Sequence, residues 1–231
     1  MNIKTLIVYE DENIIIVNKP RGLLTQFDGN KNNASLDVLL TDYFKKQVHL
    51  FNRIDRDTSG LVIFAKDNKI ATEMAELISN HEQVEKHYLT LVNGVIDKED
   101  IIDAPLRKSF ERKKMVVAPL SSGAKKAITK YFPKQQFDNY TLLDVQLLTG
   151  RTHQIRAHMS YVRHHVVGDK KYGDFKINNI FKNKYGFENQ FLHAYKLVFK
   201  DIKGSFSYLS NREFTADLPL ELQELLKNLN N

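Results

Sequence analysis

The side chains best suited to chemistry sit in one nine-residue stretch, Asn52-Arg53-Ile54-Asp55-Arg56-Asp57-Thr58-Ser59-Gly60. Two carboxylates alternate there with two guanidinium groups. Ser59 and Gly60 are expected to form a tight turn running into a buried strand, Leu61–Ala65. A carboxylate at the mouth of such a strand suits nucleophilic or general-base work, because the sheet holds its turn rigid. The same pattern also suits a local ion-pair knot in which Asp57 accepts hydrogen bonds from amides of the turn. For Asp57 the knot is preferred, and spacing alone leaves Asp55 open between the two roles.

Other chemistry-bearing patterns are incomplete. Neither GxGxxG nor GxxxxGK[ST] occurs, so neither a dinucleotide fold nor a P-loop is signalled. HEQVE at 81–85 lacks the second histidine of a zinc protease motif. Ser122-Gly123-Ala124-Lys125 matches SxxK without the partner motifs of that hydrolase class, and is read as a turn. His164 and His165 are adjacent, so their side chains diverge, and His153 and His158 are five apart on a helix. Hydrogen-bonding or phosphate-facing roles are expected for all four, rather than a metal site. The chain has no cysteine, which excludes disulfides, thiolate nucleophiles, iron–sulfur clusters and Cys-ligated zinc.

The charge is uneven. The net charge is +6 over 231 residues, yet residues 105–134 alone carry nine basic side chains and one acidic. Those cations are Arg107, Lys108, Arg112, Lys113, Lys114, Lys125, Lys126, Lys130 and Lys134, with Phe110, Tyr131 and Phe132 among them. Cations neutralise phosphates and release counterions, and aromatic faces stack on exposed bases. A solvated hairpin with ordinary surface lysines has the same composition, and the two alternatives stand level on this evidence.

The elements that must position these groups follow from periodicity and punctuation. Ile14–Val17 is a β-branched run stopped by Pro20 and Gly22. Ser35 is expected to cap a helix through Lys46, with Leu36, Val38, Leu39, Leu40 and Phe44 as its apolar positions. Asp67 or Asn68 caps a helix carrying Ile70, Met74, Leu77 and Ile78 at helical spacing. Tyr88–Val92 is a strand closed by Asn93-Gly94, and Met115–Ala118, Ala127–Phe132 and Tyr140–Leu148 form an antiparallel group. Thr152 is expected to cap a helix through Arg163 that buries Ile155, Met159 and Val162. Lys196–Lys200 is a last strand, and LELQELLKNL a terminal helix. Apolar residues make up 42% of the chain, enough for a real core. The fold class expected is α+β: a mixed, largely antiparallel sheet with flanking helices, in one domain over 1–231 of one lobe or of two around a central cleft. No apolar run approaches the ~20 residues of a membrane span. The early acidic triplet Glu10-Asp11-Glu12 argues against a signal peptide. A cytoplasmic protein without membrane contact is expected.

Five segments, in order, resemble the RluA family of RNA pseudouridine synthases. Residues 52–60 resemble HRLDxxTSG, in which the Asp is catalytic; Asn52 stands at the usual His and Ile54 at the usual Leu. Glu10-Asp11-Glu12 followed by IIIVNKPRGLLT resembles the opening EDxxLLVVNKPxGLLVH. Lys86-His87-Tyr88 with LTLVNG resembles KxYxALVxG. GRTHQIRAHMSYVRHHVVGDKKYG at 150–173 resembles GRTHQIRVHLAxxGHPIVGDxxYG, with Arg163 at the usual Gly and His165 at the usual Pro. FLHAYKLVF at 191–199 resembles FLHAxxLxF.

The resemblance implies an isomerase that breaks the N1–C1′ bond of a flipped-out uridine and rejoins the ring through C5, with no cofactor. It implies Asp55 as nucleophile or as the base assisting glycosidic cleavage. Arg156 would pair with that aspartate, Tyr88 would stack on the uracil and help move a proton from C5, and Ile155 would pack on the base. Arg53 would be a substrate contact beside Asp55, and Lys19, Arg151 and His153 contacts to phosphate or backbone. Arg107, Lys108, Arg112, Lys113, Lys114, Lys125 and Lys126 would bind structured RNA, ribosomal or transfer. The opening segment lies within the first dozen residues, so a compact member without an S4 RNA-binding domain is expected, acting as a monomer with no required protein partner. Two alternatives are a glycoside or nucleoside hydrolase using Asp55 and Asp57 as its carboxylate pair, and a non-catalytic RNA-binding module.

Overall fold

A computed structural model of the chain describes residues 2–230. In chain order the first elements are β1 (Ile7–Glu10), β2 (Ile14–Lys19), α1 (Leu36–Phe44), β3 (His49–Leu50), β4 (Ser59–Ala65) and α2 (Asn68–Ser79). Then come β5 (Val84–Asn93), β6 (Asp100–Asp103), β7 (Leu106–Ser109), β8 (Lys114–Val117), β9 (Ile128–Phe137) and β10 (Tyr140–Leu147). The last are α3 (Gln154–Tyr161), α4 (Phe175–Tyr185), β11 (Leu192–Phe199), β12 (Glu213–Thr215) and α5 (Leu220–Leu229). The fold is mixed α+β with largely antiparallel strands and flanking helices.

Two compact units share these elements. The first runs up to Lys86 and takes in Ala194–Pro219. Its strands lie in the order β1-β2-β4-β11, with β3 on β4 and β12 on β11. β4 is buried along its whole length, as its continuous apolar run requires of a strand covered on both faces. Ile14, Ile16, Leu61 and Ile63 from β2 and β4 pack with Met74 and Ile78 of α2 and with Leu197, Phe199 and Phe206. Asp67 caps α2 by accepting from the Lys69 amide. Ser35 occupies the N-cap of α1, but its side chain makes no capping bond, and its Oγ is buried with no hydrogen-bond partner. Of the apolar residues expected to face the core in α1, Leu36 and Leu40 are buried and Val38 is exposed.

Gly60 corrects the expected turn. Ser59 and Gly60 are already in β4, and the turn lies earlier, where the Thr58 amide donates to the Asp55 carbonyl. Gly60 has φ +115°, and a Cβ there would stand 2.2 Å from the carbonyl oxygen of Ala194 in β11. Close approach of the two backbones, not turn formation, demands the glycine.

The second unit comprises His87–His193 and the chain from Leu220 onward. β5, β10, β9 and β6 pair antiparallel in that order, and β7 and β8 form a separate two-stranded hairpin. The N-cap of α3 is His153, in the left-handed region at φ +51°, and not Thr152. The helix is short and buried nearly all round from Gln154 to Met159, because its polar residues have partners inside. Gln154 accepts from the Thr149 hydroxyl (2.8 Å) and the Arg151 amide (2.9 Å), and donates to the Ile128 carbonyl and the Thr129 hydroxyl (both 3.0 Å). α4 and β12 were not foreseen from periodicity.

Candidate active site

The Asp55 turn is pinned from several sides within the first unit. Asn52 accepts from the Ile63 amide at 2.8 Å and donates to the Leu61 carbonyl, so its amide extends the edge of β4. The Thr25 hydroxyl donates to the Ile54 carbonyl at 2.7 Å. The Gly22 amide donates to the Arg56 carbonyl at 2.9 Å, and Arg56 Nε returns a bond to the Gly22 carbonyl at 3.0 Å. The segment NKPRGLLT is therefore the clamp on the turn that carries Asp55. Ile54 is buried, Asp55 half-buried, and Arg53, Arg56 and Asp57 exposed.

Lys19 completes the clamp. It is wholly buried, and Nζ donates to the carbonyls of Pro20 (3.0 Å), Leu23 (2.7 Å) and Arg56 (3.0 Å). An ammonium has three donors, so none remains for a phosphate. The expected phosphate contact is corrected to a structural tie between two loops. Burial pulls the Lys19 pKa down to about 7, against the pull of Asp57 and Asp55.

In the second unit, Arg156 is nearly buried and grips Asp169 with a fork, Nε to Oδ2 at 2.6 Å and an Nη to Oδ1 at 2.9 Å. Asp169 Oδ1 also accepts from the amides of Lys171 and Tyr172. Burial works against the carboxylate, but the guanidinium and amides prevail, holding Asp169 below the ordinary range. This fixes the plane of the guanidinium. Tyr172 lies beneath it, with the guanidinium carbon 5.0 Å from the ring centre. Ile155 is buried on the same helix, and Tyr88 is buried in β5 opposite Val145.

The four histidines hydrogen-bond as expected. His158 lies between the Thr129 hydroxyl and the Ala104 carbonyl, both at 2.9 Å. A carbonyl only accepts, so Nε2–H donates to Ala104; burial lowers the His158 pKa and favours the neutral ring, whose Nδ1 then accepts the Thr129 proton. His164 meets the Asn93 carbonyl and His165 the Tyr172 carbonyl. His153 Nδ1 lies 2.9 Å from the Tyr172 hydroxyl.

The basic segment gathers beside this group. Arg107, Lys108, Arg112 and Lys113 are exposed on the β7–β8 hairpin, and Lys114 is half-buried. Reciprocal backbone bonds between Leu106 and Lys125 bring the chain with Lys125 and Lys126 against it. Arg151 joins them by donating Nε to the Lys126 carbonyl at 2.9 Å. Phe110, at the hairpin tip, is 81% exposed, with the Lys108 ammonium over its ring.

Residues 13–161 match the RNA pseudouridylate synthase family pattern. The chain belongs to the RNA pseudouridylate synthase family. It is 34% identical over 206 residues to tRNA pseudouridine synthase C of Vibrio cholerae, covering 84% of both chains. It is 33% identical over 226 residues to ribosomal large subunit pseudouridine synthase C of Buchnera aphidicola, covering 97% of this chain and 70% of that protein. The structure of human RNA Pseudouridylate Synthase Domain Containing 4 has the same fold, with a TM-score of 0.77 at 23% identity over 99% of this chain and 94% of that one. This family member is of the RluA type and is an RNA pseudouridine synthase, an isomerase. None of these similarities supports the hydrolase built on Asp55 and Asp57.

Asp169 and Tyr172, which hold the Arg156 guanidinium, carry no signal of that contact in the sequence. Both lie in GDKKYG, inside the longest family-like segment, but no pattern in the sequence shows that Asp169 holds an arginine 13 positions earlier.

Proposed function

We propose that this RluA-type synthase isomerises uridine to pseudouridine in ribosomal or transfer RNA, acting through Asp55. The observation that carries the assignment is the clamped turn. Lys19, Gly22, Thr25 and Asn52 all spend hydrogen bonds on the main chain around one half-buried carboxylate. Rigid support of this kind is what a positioned nucleophile or base requires. Asp55 acts as nucleophile or base while the N1–C1′ bond breaks. The uracil is then reattached through C5, whose proton is lost as N1 gains one, so the balance needs no redox partner. Tyr88 stacks on the flipped base and helps move the C5 proton. Arg156, its plane set by Asp169, is the guanidinium that serves the reaction alongside Asp55. Ile155 packs on the base, Arg53 and His153 contact the substrate, and the hairpin cations with Lys125, Lys126 and Arg151 meet RNA phosphates. The whole chain works as one catalytic domain, as a monomer in the cytoplasm, with no protein partner. Mapping pseudouridines in total RNA from cells with and without the gene tests the substrate class. Loss of modification at a defined site in ribosomal or transfer RNA is expected, and an unchanged map of both would refute it.

A further inference from the structure

Tyr172 touches the RNA-facing hairpin and Arg156 at once. Its hydroxyl accepts the Met115 N–H of β8 at 2.8 Å. His153 Nδ1 hydrogen-bonds the same hydroxyl at 2.9 Å, the direction following the tautomer of the imidazole. The ring is 3% exposed and packs with Leu106, Ala157 and Met115. Two cations lie over it, Arg156 at 5.0 Å and Lys114 of the hairpin at 5.4 Å. Its own amide donates to Asp169 Oδ1, the atom that also takes one arm of the Arg156 fork.

We propose that Tyr172 is a positioning residue, carrying the seating of the β7–β8 hairpin on RNA to the guanidinium of Arg156. The inference rests on the roles proposed above for the hairpin and for Arg156. A two-stranded hairpin is marginal alone, so its place against α3 depends on such anchors. The Tyr172 hydroxyl anchors it at Met115, one residue from Lys114. A phosphate that draws Lys114 away leaves Arg156 as the only one of the two on the ring. A hairpin that has slipped shifts the ring and, through the shared carboxylate, the fork. Displacements of about 1 Å at a reacting centre cost on the order of a hundredfold in rate.

The test is Tyr172→Phe, which keeps the ring and removes the hydroxyl. Transcripts of transfer RNA and large-subunit ribosomal RNA carrying 5-tritiated uridine serve as probes. The single-turnover rate should fall about tenfold or more while RNA affinity stays within about twofold. Hydrogen exchange at the Met115 amide gives a readout independent of turnover. It should be faster in the variant, and RNA should slow it in the wild type but not in the variant. A rate within about twofold of wild type, a loss confined to affinity, or unchanged Met115 exchange would overturn the proposal. A wild-type protein that releases no tritium would instead refute the isomerase assignment, and the exchange measurement would still decide the linkage.

Discussion

A buried lysine in a motif next to a catalytic-type aspartate invites a phosphate-binding role, and at Lys19 geometry decides otherwise. Its donors are spent on three carbonyls, those of Pro20 and Leu23 in the loop after β2 and that of Arg56. Burial lowers its pKa in the folded chain to about 7 from an ordinary 10.5. Between those values the unfolded chain binds more protons than the folded one, so stability rises with pH across that window. Denaturant melts from pH 7 to 10 should show the wild type gaining stability relative to Lys19→Met, and parallel curves would contradict this. Asn52, the departure at the usual His, is explained by its paired bonds to β4. The resemblance supplied the roles of Asp55, Tyr88 and Arg156, because an isolated Tyr in a strand or Arg on a helix reads as structural. Asp169 was illegible for a plainer reason: its partner is brought to it only by the turn after α3.

Among the elements, strands with continuous apolar runs and the helix capped by Asp67 were legible from local pattern alone. The ends of α3 were not. His153 and Arg163 both adopt the left-handed region, at φ +51° and +65°, and no side-chain pattern marks a histidine or arginine for it. Arg163 stands where the family has Gly, so the fold keeps the conformation and gives up the residue best suited to it. Gly60 was legible as a glycine but not in its reason, which lies in β11 far along the chain. Gly60→Ala should destabilise the protein by about 3 kcal/mol, since its Cβ would meet backbone rather than a flexible side chain. Thermal melting checks this, and a loss under about 1 kcal/mol would show that β4 and β11 can separate there. For the hairpin, replacing Lys113, Lys114, Lys125 and Lys126 by Ala should weaken RNA binding and flatten its salt dependence. Each lost phosphate contact removes roughly 0.7–0.9 from the slope of log affinity against log salt. An unchanged slope would place RNA elsewhere.

At the scale of the whole molecule, a net charge of +6 is a weak pointer to polyanions, and its concentration in residues 105–134 makes that pointer local. The fold gathers most of those cations around one hairpin, with Arg151 tied to the Lys126 carbonyl and Lys114 sharing the Tyr172 ring with Arg156. Three of the five family-like segments thus have separable physical tasks. The opening one clamps the Asp55 turn, the FLHA segment approaches Gly60, and the GRTHQIR and GDKKYG segments build the Arg156 fork. The central claim is that Asp55 carries uridine isomerisation. It is tested most directly by comparing wild type and Asp55→Asn on RNA carrying 5-tritiated uridine, with tritium release, RNA affinity and product mass read together. The wild type should release tritium with chain mass otherwise unchanged, and Asp55→Asn should release none while still binding RNA. Free uracil from the wild type, or turnover by Asp55→Asn near the wild-type rate, would contradict the account.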